Sequence, residues 1–207
     1  MIYLMKLSLK DERKIWRLGH KKVVGLDEAG RGPLAGPVVA AAVMVRNQKI
    51  KINFPRMNDS KKMTAKDRED VFKLLTTNSN IKWGIGRVSE KVIDKINILE
   101  ATKLAMERAV KNIKVKPNFL ILDGNFKINS RLPQKSIIKG DEKVFSCMAA
   151  GIIAKVTRDK IMKKYHIEFP LYGFNQHKGY PTKNHRNKIK KYGSCDLHRK
   201  TFNIKHD

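Results

Sequence analysis

The chain has 207 residues, with 45 Lys+Arg against 19 Asp+Glu, a formal net charge of +26 and a pI near 10.2. That length holds one domain with a real core, or one domain and a small appendage, and excludes two domains of full size. The charge points to a polyanionic partner, nucleic acid first, while Cys147 and Cys195, the 2 cysteines, exclude a disulfide framework and a cysteine-rich zinc site.

The start, Met1-Ile2-Tyr3-Leu4-Met5-Lys6, breaks into charge before a signal-peptide core could form. The longest apolar runs, such as Val38 to Val45, fall far short of the roughly 20 residues that cross a bilayer. A soluble, cytoplasmic protein with no membrane contact is expected. Basic residues are spread along the chain and not gathered in one tail, and there is no internal repeat or low-complexity linker.

In chain order, residues 22–27 and 38–45 are apolar, β-branched runs joined by a Gly/Pro-rich turn, and read as two paired strands. Residues 81–88 alternate and supply a third. Ser89 is positioned to cap a helix with apolar Val92, Ile93, Ile96, Leu99, Met106 and Val110, and with Glu90 and Asp94 in its first turn. Phe119-Leu120-Ile121-Leu122 is a buried strand ending at Asp123-Gly124-Asn125; following a helix, it implies a parallel βαβ connection. Ser136-Ile137-Ile138-Lys139-Gly140-Asp141 repeats the pattern of short strand, glycine and aspartate. A long helix is expected from Val144 to about Tyr165, with Asp159 inside it, and a final helix around Lys183 to Tyr192. The class is α/β.

Three apolar runs therefore end in acids: Asp27-Glu28, Asp123 and Asp141. One strand-terminal aspartate is ordinarily a turn or cap residue. Three on one sheet can converge, because neighbouring strands bring their ends together, and four carboxylates meeting there create a charge density that a cation must neutralise. Without histidine or thiol in these motifs, the donor set favours Mg²⁺ or Mn²⁺ over zinc. Two such ions about 3.5–4 Å apart would activate water and stabilise the leaving oxygen of a phosphodiester. An acidic site on a strongly basic protein makes sense as a nuclease.

Seven segments, 25–38 (Gly-Leu-Asp-Glu-Ala-Gly-Arg-Gly-Pro-Leu-Ala-Gly-Pro-Val), 58–62, 96–99, 122–125, 139–141, 154–159 and 177–180, closely resemble bacterial ribonuclease HII, in order, from about residue 22 to 192. The resemblance implies a ribonuclease H-like fold, with a central mixed β-sheet flanked by helices and a small helical C-terminal segment. It further implies an acidic metal site of Asp27, Glu28, Asp123 and Asp141, with Asp27 the candidate ligand shared by both metals and Asp159 an accessory acid. The implied chemistry is in-line hydrolysis by a metal-activated water, cutting 5′ to a ribonucleotide and leaving a 3′-hydroxyl and a 5′-phosphate. The implied substrates are RNA in RNA–DNA hybrids and ribonucleotides embedded in duplex DNA, which would serve DNA replication and ribonucleotide excision repair. Gly30, Arg31 and Gly32 correspond to the loop that reads the ribose 2′-OH, and Tyr180 to the tyrosine that contacts the same hydroxyl. Lys61 and Lys62 are candidates for backbone phosphates.

Residues 1–21 are expected to be an N-terminal leader, 22–192 the catalytic domain with its helical C-terminal segment, and 193–207 a frayed tail. His185 is expected to be a helix-surface or packing residue and not a catalyst. Gly151 stands where many relatives of the resembled family carry serine, which leaves helix rigidity near Asp141 in question. A monomer is expected, and contact with a replication clamp is left open. The competing readings are a non-catalytic basic RNA- or ribosome-binding protein and a ribonuclease HIII-type nuclease of the same fold.

Overall fold

The computed structural model describes residues 9–48, 54 and 57–202; the first residues of the leader and the last five of the tail lie outside the described residues. Strands β1 (Val23–Ala29), β2 (Val38–Val45), β3 (Ile81–Val88), β4 (Phe119–Asp123) and β5 (Gln134–Ile137) form one five-stranded sheet in the order β3-β2-β1-β4-β5. β1 pairs antiparallel with β2 and parallel with β4, and β5 extends the sheet parallel to β4. The mixed α/β sheet expected from the sequence is present.

Side chains alternate across a strand, so odd-numbered and even-numbered residues of the central strands build separate cores. Ala41, Val43 and Val45 face helices α1 (Lys10–Arg17), α2 (Ala65–Thr77) and α5 (Phe145–Glu168); Val38, Ala40, Ala42 and Met44 face α3 (Glu90–Asn112). β2 is buried at all 8 positions, which explains its uninterrupted apolar run. Close approach at β3 depends on glycine: a Cβ at Gly84 would lie 2.4 Å from the Ile113 nitrogen, and one at Gly86 only 1.8 Å from the Ala105 oxygen. Ser89 is the N-cap of α3, as expected, and its carbonyl accepts from the Val92 and Ile93 amides. Asn97 breaks α3 with φ 65°, and its side chain then accepts from the Leu99 and Glu100 amides, capping the helix's second half.

The structure departs from the sequence expectations at several points. Asp27 and Glu28 lie inside β1, which runs to Ala29, and β5 stops at Ile137, so Asp141 belongs to the short helix α4 (Gly140–Lys143) and does not end a strand. α1 and α2 had no expected element. α1 buries Leu9, Ile15 and Trp16, and its Glu12 carboxylate accepts from the Ser146 amide and hydroxyl, each at 2.8 Å. That contact caps α5 from outside its own chain segment, at the helix end that favours negative charge.

After α5 come a 3₁₀ turn (Pro170–Tyr172), α6 (Phe174–His177) and α7 (Lys183–Tyr192). In the segment beyond α7 the frayed tail that was expected is not found among the described residues: Leu197, His198 and Arg199 are buried, and His198 pairs with Ala35 in an antiparallel bridge. Among the described residues no helix is long and apolar enough to cross a membrane, and both thiols are free.

The tightest contact is the natural place to test the packing. Gly86→Ala drives a methyl into the α3 backbone and is expected to cost about 3 kcal/mol or more, read as a lowered urea midpoint; an unchanged midpoint would show that α3 does not lie against β3 as described.

Candidate active site

The parallel pairing of β1 with β4 sets the site. It brings Asp27, near the end of β1, beside Asp123, the last residue of β4, and the Gly140 amide donates to an Asp123 side-chain oxygen at 2.7 Å. Lys139, in the left-handed region at φ 57°, turns the chain into α4 and delivers Asp141 to the same place. Asp27, Asp123 and Asp141 each offer an oxygen within 4.8 Å of the others.

Burial first, then the charges of Glu28 and Asp123, hold the Asp27 carboxyl well above the usual carboxylate range. Asp123 is raised by burial and by Asp141. The ordinary remedies for such crowding are a proton or a cation, and an all-oxygen donor set suits a hard divalent ion. The residues present thus fit the metal that the sequence implies.

Glu28 is placed differently. Alternation along β1 turns it from the face where Asp27 points, so it stands beside the three aspartates and outside their cluster. Its carboxylate accepts from the Arg31 guanidinium at 3.4 Å, and burial outweighs that partner to push it up to about 7. Glu28 still lines one cleft with Asp27, Asp123, Gly30, Arg31, Gly32, Lys61 and Tyr180.

Gly151 acquires a specific reason. It packs against Asp27: a Cβ there would lie 2.2 Å from Asp27 Oδ2, so glycine makes room for that carboxylate beside α5.

The two candidate phosphate lysines separate. An Asp59 carboxylate accepts from the Lys61 amide at 2.9 Å and forms the turn that presents Lys61, whose Nζ is 3.2 Å from Asp141 Oδ2. Burial lowers the Lys61 ammonium, but pairing with Asp141 wins and its pKa rises. Lys62 instead meets Glu142 at 2.9 Å, on the exposed surface. Asp159 pairs with Lys155 at 2.9 Å one helical turn away, outside the aspartate cluster. Sequence reasoning missed Lys155, which lines the cleft with the acids and sits 5.3 Å from the centre of the exposed Tyr180 ring.

Tyr180 is held from behind by a chain of histidines. The Cys195 amide can only donate, so His198 Nδ1 accepts it and Nε2 carries the proton; that proton goes to His185 Nε2 at 3.1 Å, and His185 Nδ1–H donates to the Tyr180 carbonyl at 3.0 Å. Of the two roles expected of His185, helix surface or packing, the structure gives it the second: it is fully buried, and burial followed by the charge of His177 pushes it down to about 4.

The ribonuclease HII family model matches residues 24–205. The chain is 47% identical to a ribonuclease HII of Chlamydia caviae over 97% of this chain and 92% of that protein, and 44% identical to one of Syntrophus aciditrophicus over 94% and 90%. Among solved structures, ribonuclease H2 of Pyrococcus horikoshii superposes with TM-score 0.67 and 28% identity, covering 88% of this chain and 94% of that one. Bst-RNase HIII in complex with Mn²⁺ shares the fold at TM-score 0.64 and 17% identity, covering 91% and 69%.

Raised folded-state pKa values make the acids a liability in metal-free protein. Stability from this source is present at acid pH and lost as pH rises from the usual carboxylate range through about 7, where Glu28 ionises. Without metal, Asp27→Asn is therefore expected to raise the melting temperature at pH 8 by roughly 2–6 °C. The same change should abolish most of the rise that Mn²⁺ produces in the wild type. Calorimetric scans in EDTA and in Mn²⁺ decide it, and an equal Mn²⁺ shift in both proteins would place the ion elsewhere.

His185 has the opposite sign. Its lowered pKa means that stability is complete above about 6.5 and falls as pH drops toward about 4, so a His185→Gln variant should show a flatter denaturation profile across that window; a profile as steep as the wild type's would assign the acid limb to other groups.

Proposed function

This chain belongs to the ribonuclease HII family, and from that premise we propose that Asp27, Glu28, Asp123 and Asp141 are the acids that hold its catalytic metal. It is a ribonuclease H endonuclease. The observation that carries the site assignment is the convergence of three buried or half-buried aspartates from β1, β4 and α4, with carboxyl pKa values raised at Asp27 and Asp123.

The cofactor of this reading is Mn²⁺ or Mg²⁺, two ions when substrate is bound; the ions supply water activation and stabilisation of the leaving oxygen. The chain's own residues do the rest. Asp27, buried among the other acids and held well above the usual carboxylate range, is the carboxylate suited to being shared. Asp123 is oriented by the Gly140 amide. Lys61 and Lys155 bring positive charge to the cleft beside the acids, where a scissile phosphate must sit. Lys62 reaches phosphates further along the backbone, and Asp159 has an accessory role through Lys155.

The loop of Gly30, Arg31 and Gly32 reads the ribose 2′-OH by its backbone, and the exposed Tyr180 ring contacts the same sugar. Both line the cleft with the acids. A backbone amide reports the hydroxyl without reading the base, so recognition is of sugar and not of sequence. The substrates are RNA in RNA–DNA hybrids and ribonucleotides in duplex DNA, cut on the 5′ side. The protein works as a cytoplasmic monomer in replication and ribonucleotide repair, with the catalytic unit formed by residues 22–192 together with the packed segment through Arg199.

A DNA duplex with one ribonucleotide tests this directly. Wild type in Mg²⁺ or Mn²⁺ is expected to cut 5′ to the ribonucleotide and EDTA to stop it, with Asp123→Asn slower by about 10³-fold. Tight binding without cutting in either metal would favour the non-catalytic reading.

A further inference from the structure

We propose that Arg199, in the segment beyond α7, is a positioning residue that aims the amide groups of the Gly30-Arg31-Gly32 loop into the catalytic cleft and thereby sets the preference for ribose over deoxyribose. The inference rests on the reading that this loop senses the 2′-OH.

Arg199 is fully buried, and its donors end on main-chain carbonyls. Nη2 reaches the Gly30 oxygen at 2.6 Å, Nη1 the Arg31 oxygen at 2.9 Å, and Nε and Nη2 the Gly36 oxygen at 3.0 and 2.8 Å. A trans peptide is planar, with C=O and the following N–H on opposite sides. Drawing the Gly30 and Arg31 carbonyls inward therefore turns the Arg31 and Gly32 amides outward. Those two residues are exposed, and both line the cleft that contains Asp27 and Glu28.

The contact is geometric in a way that charge alone is not. A guanidinium holds several donors in a rigid plane and can fix three carbonyls at once; an ammonium is a compact point charge. The surrounding frame keeps the plane in register. The Arg199 amide donates to the Leu34 oxygen and the Gly36 amide to the Leu197 oxygen, each at 2.8 Å, and the guanidinium packs 4.9 Å from the centre of the Phe202 ring. A second buried arginine, Arg158, holds the other end of the loop by the Pro37 and Ala35 oxygens at 2.9 and 3.1 Å, and reaches the Lys178 oxygen at 3.0 Å. Its bonds stop short of the Gly30 and Arg31 carbonyls, so Arg158 secures the stem while Arg199 orients the tip. Burial lowers the two guanidiniums to about 10 and about 9, which leaves both charged at neutral pH.

The test is fluorescence anisotropy in EDTA with two duplexes of one sequence, all DNA or carrying a single ribonucleotide. Arg199→Lys is expected to reduce the affinity ratio between them by about tenfold, with affinity for the all-DNA duplex changed less than about twofold. The Mn²⁺-induced rise in melting temperature should persist. A retained ratio overturns the proposal, as does equal weakening toward both duplexes or loss of the Mn²⁺ rise, since each of these describes plain structural support. Should Arg199→Lys not fold, Phe202→Ala decides: it removes only the ring behind the guanidinium and is expected to lower the ratio by about threefold, and an unchanged ratio overturns the proposal. A wild type with no preference for the ribonucleotide would instead overturn the reading of the loop, and the inference with it.

Discussion

Mutual repulsion among carboxylates is the constraint around which this molecule is organised. Asp27, Asp123 and Asp141 bring oxygens within 4.8 Å of one another at one end of the sheet, a position that an apolar core cannot stabilise and that only a proton, a cation or hydrogen-bond donors can. Nearly every local irregularity nearby serves that crowding. Gly151 interrupts the side-chain surface of α5 where Asp27 needs space, the left-handed Lys139 turns Asp141 inward, and the Gly140 amide engages Asp123. The regular sheet is what makes such irregularity tolerable, because β1 and β4 are buried and fix the backbone from which the acids project.

A second layer of control works through carbonyls. The loop between β1 and β2 leaves the sheet at Gly30, whose φ of 101° suits glycine and whose missing Cβ would lie 2.1 Å from Arg158 Nε. Two fully buried arginines then hold the loop by its main chain, one from α5 and one from the C-terminal segment. Burying a guanidinium is costly unless its donors are satisfied, and here they are satisfied by loop oxygens and, for Arg158 Nη1, by the Lys178 oxygen. The loop's conformation and the solvation of these charges are consequently one problem with one solution. Tyr180 is tied to the same segment through His185 and His198, so residues 195–199 support both the Gly30–Gly32 loop and the tyrosine that lines the cleft with the acids.

Much of this was legible before any coordinates. The apolar runs at 38–45 and 119–122 announce central strands because burial on both faces removes polar alternation, and Asp123, directly after the second of them, announces a site at the sheet's end. The direction of each acid was less legible, although period 2 alone requires adjacent Asp27 and Glu28 to point apart. Lys155 and Arg158 belong to a recognisable motif, yet a basic residue on a helix carries no address until the helix is docked. The C-terminal segment was hidden for a related reason. An arginine such as Arg199 is almost never fully buried, so composition reads it as solvated, and only carbonyl acceptors distant in sequence, at Gly30 and Arg31, reverse that reading.

The acidic site and the +26 net charge answer different needs. Charges separated by more than a Debye length of about 8 Å at physiological salt barely sense one another, so lysines scattered over the surface attract a polyanion without neutralising the cluster. Only groups at the cleft can do both. Arg31 sits 3.4 Å from Glu28 and Lys61 3.2 Å from Asp141, and Lys155 shares the cleft with the acids. A phosphate entering there competes for the same cations, and each one it engages leaves a carboxylate less compensated. The same three side chains therefore carry two loads, compensating the acids and presenting positive charge at the mouth of the cleft, and any anion that draws on one leaves its carboxylate to be balanced by something else.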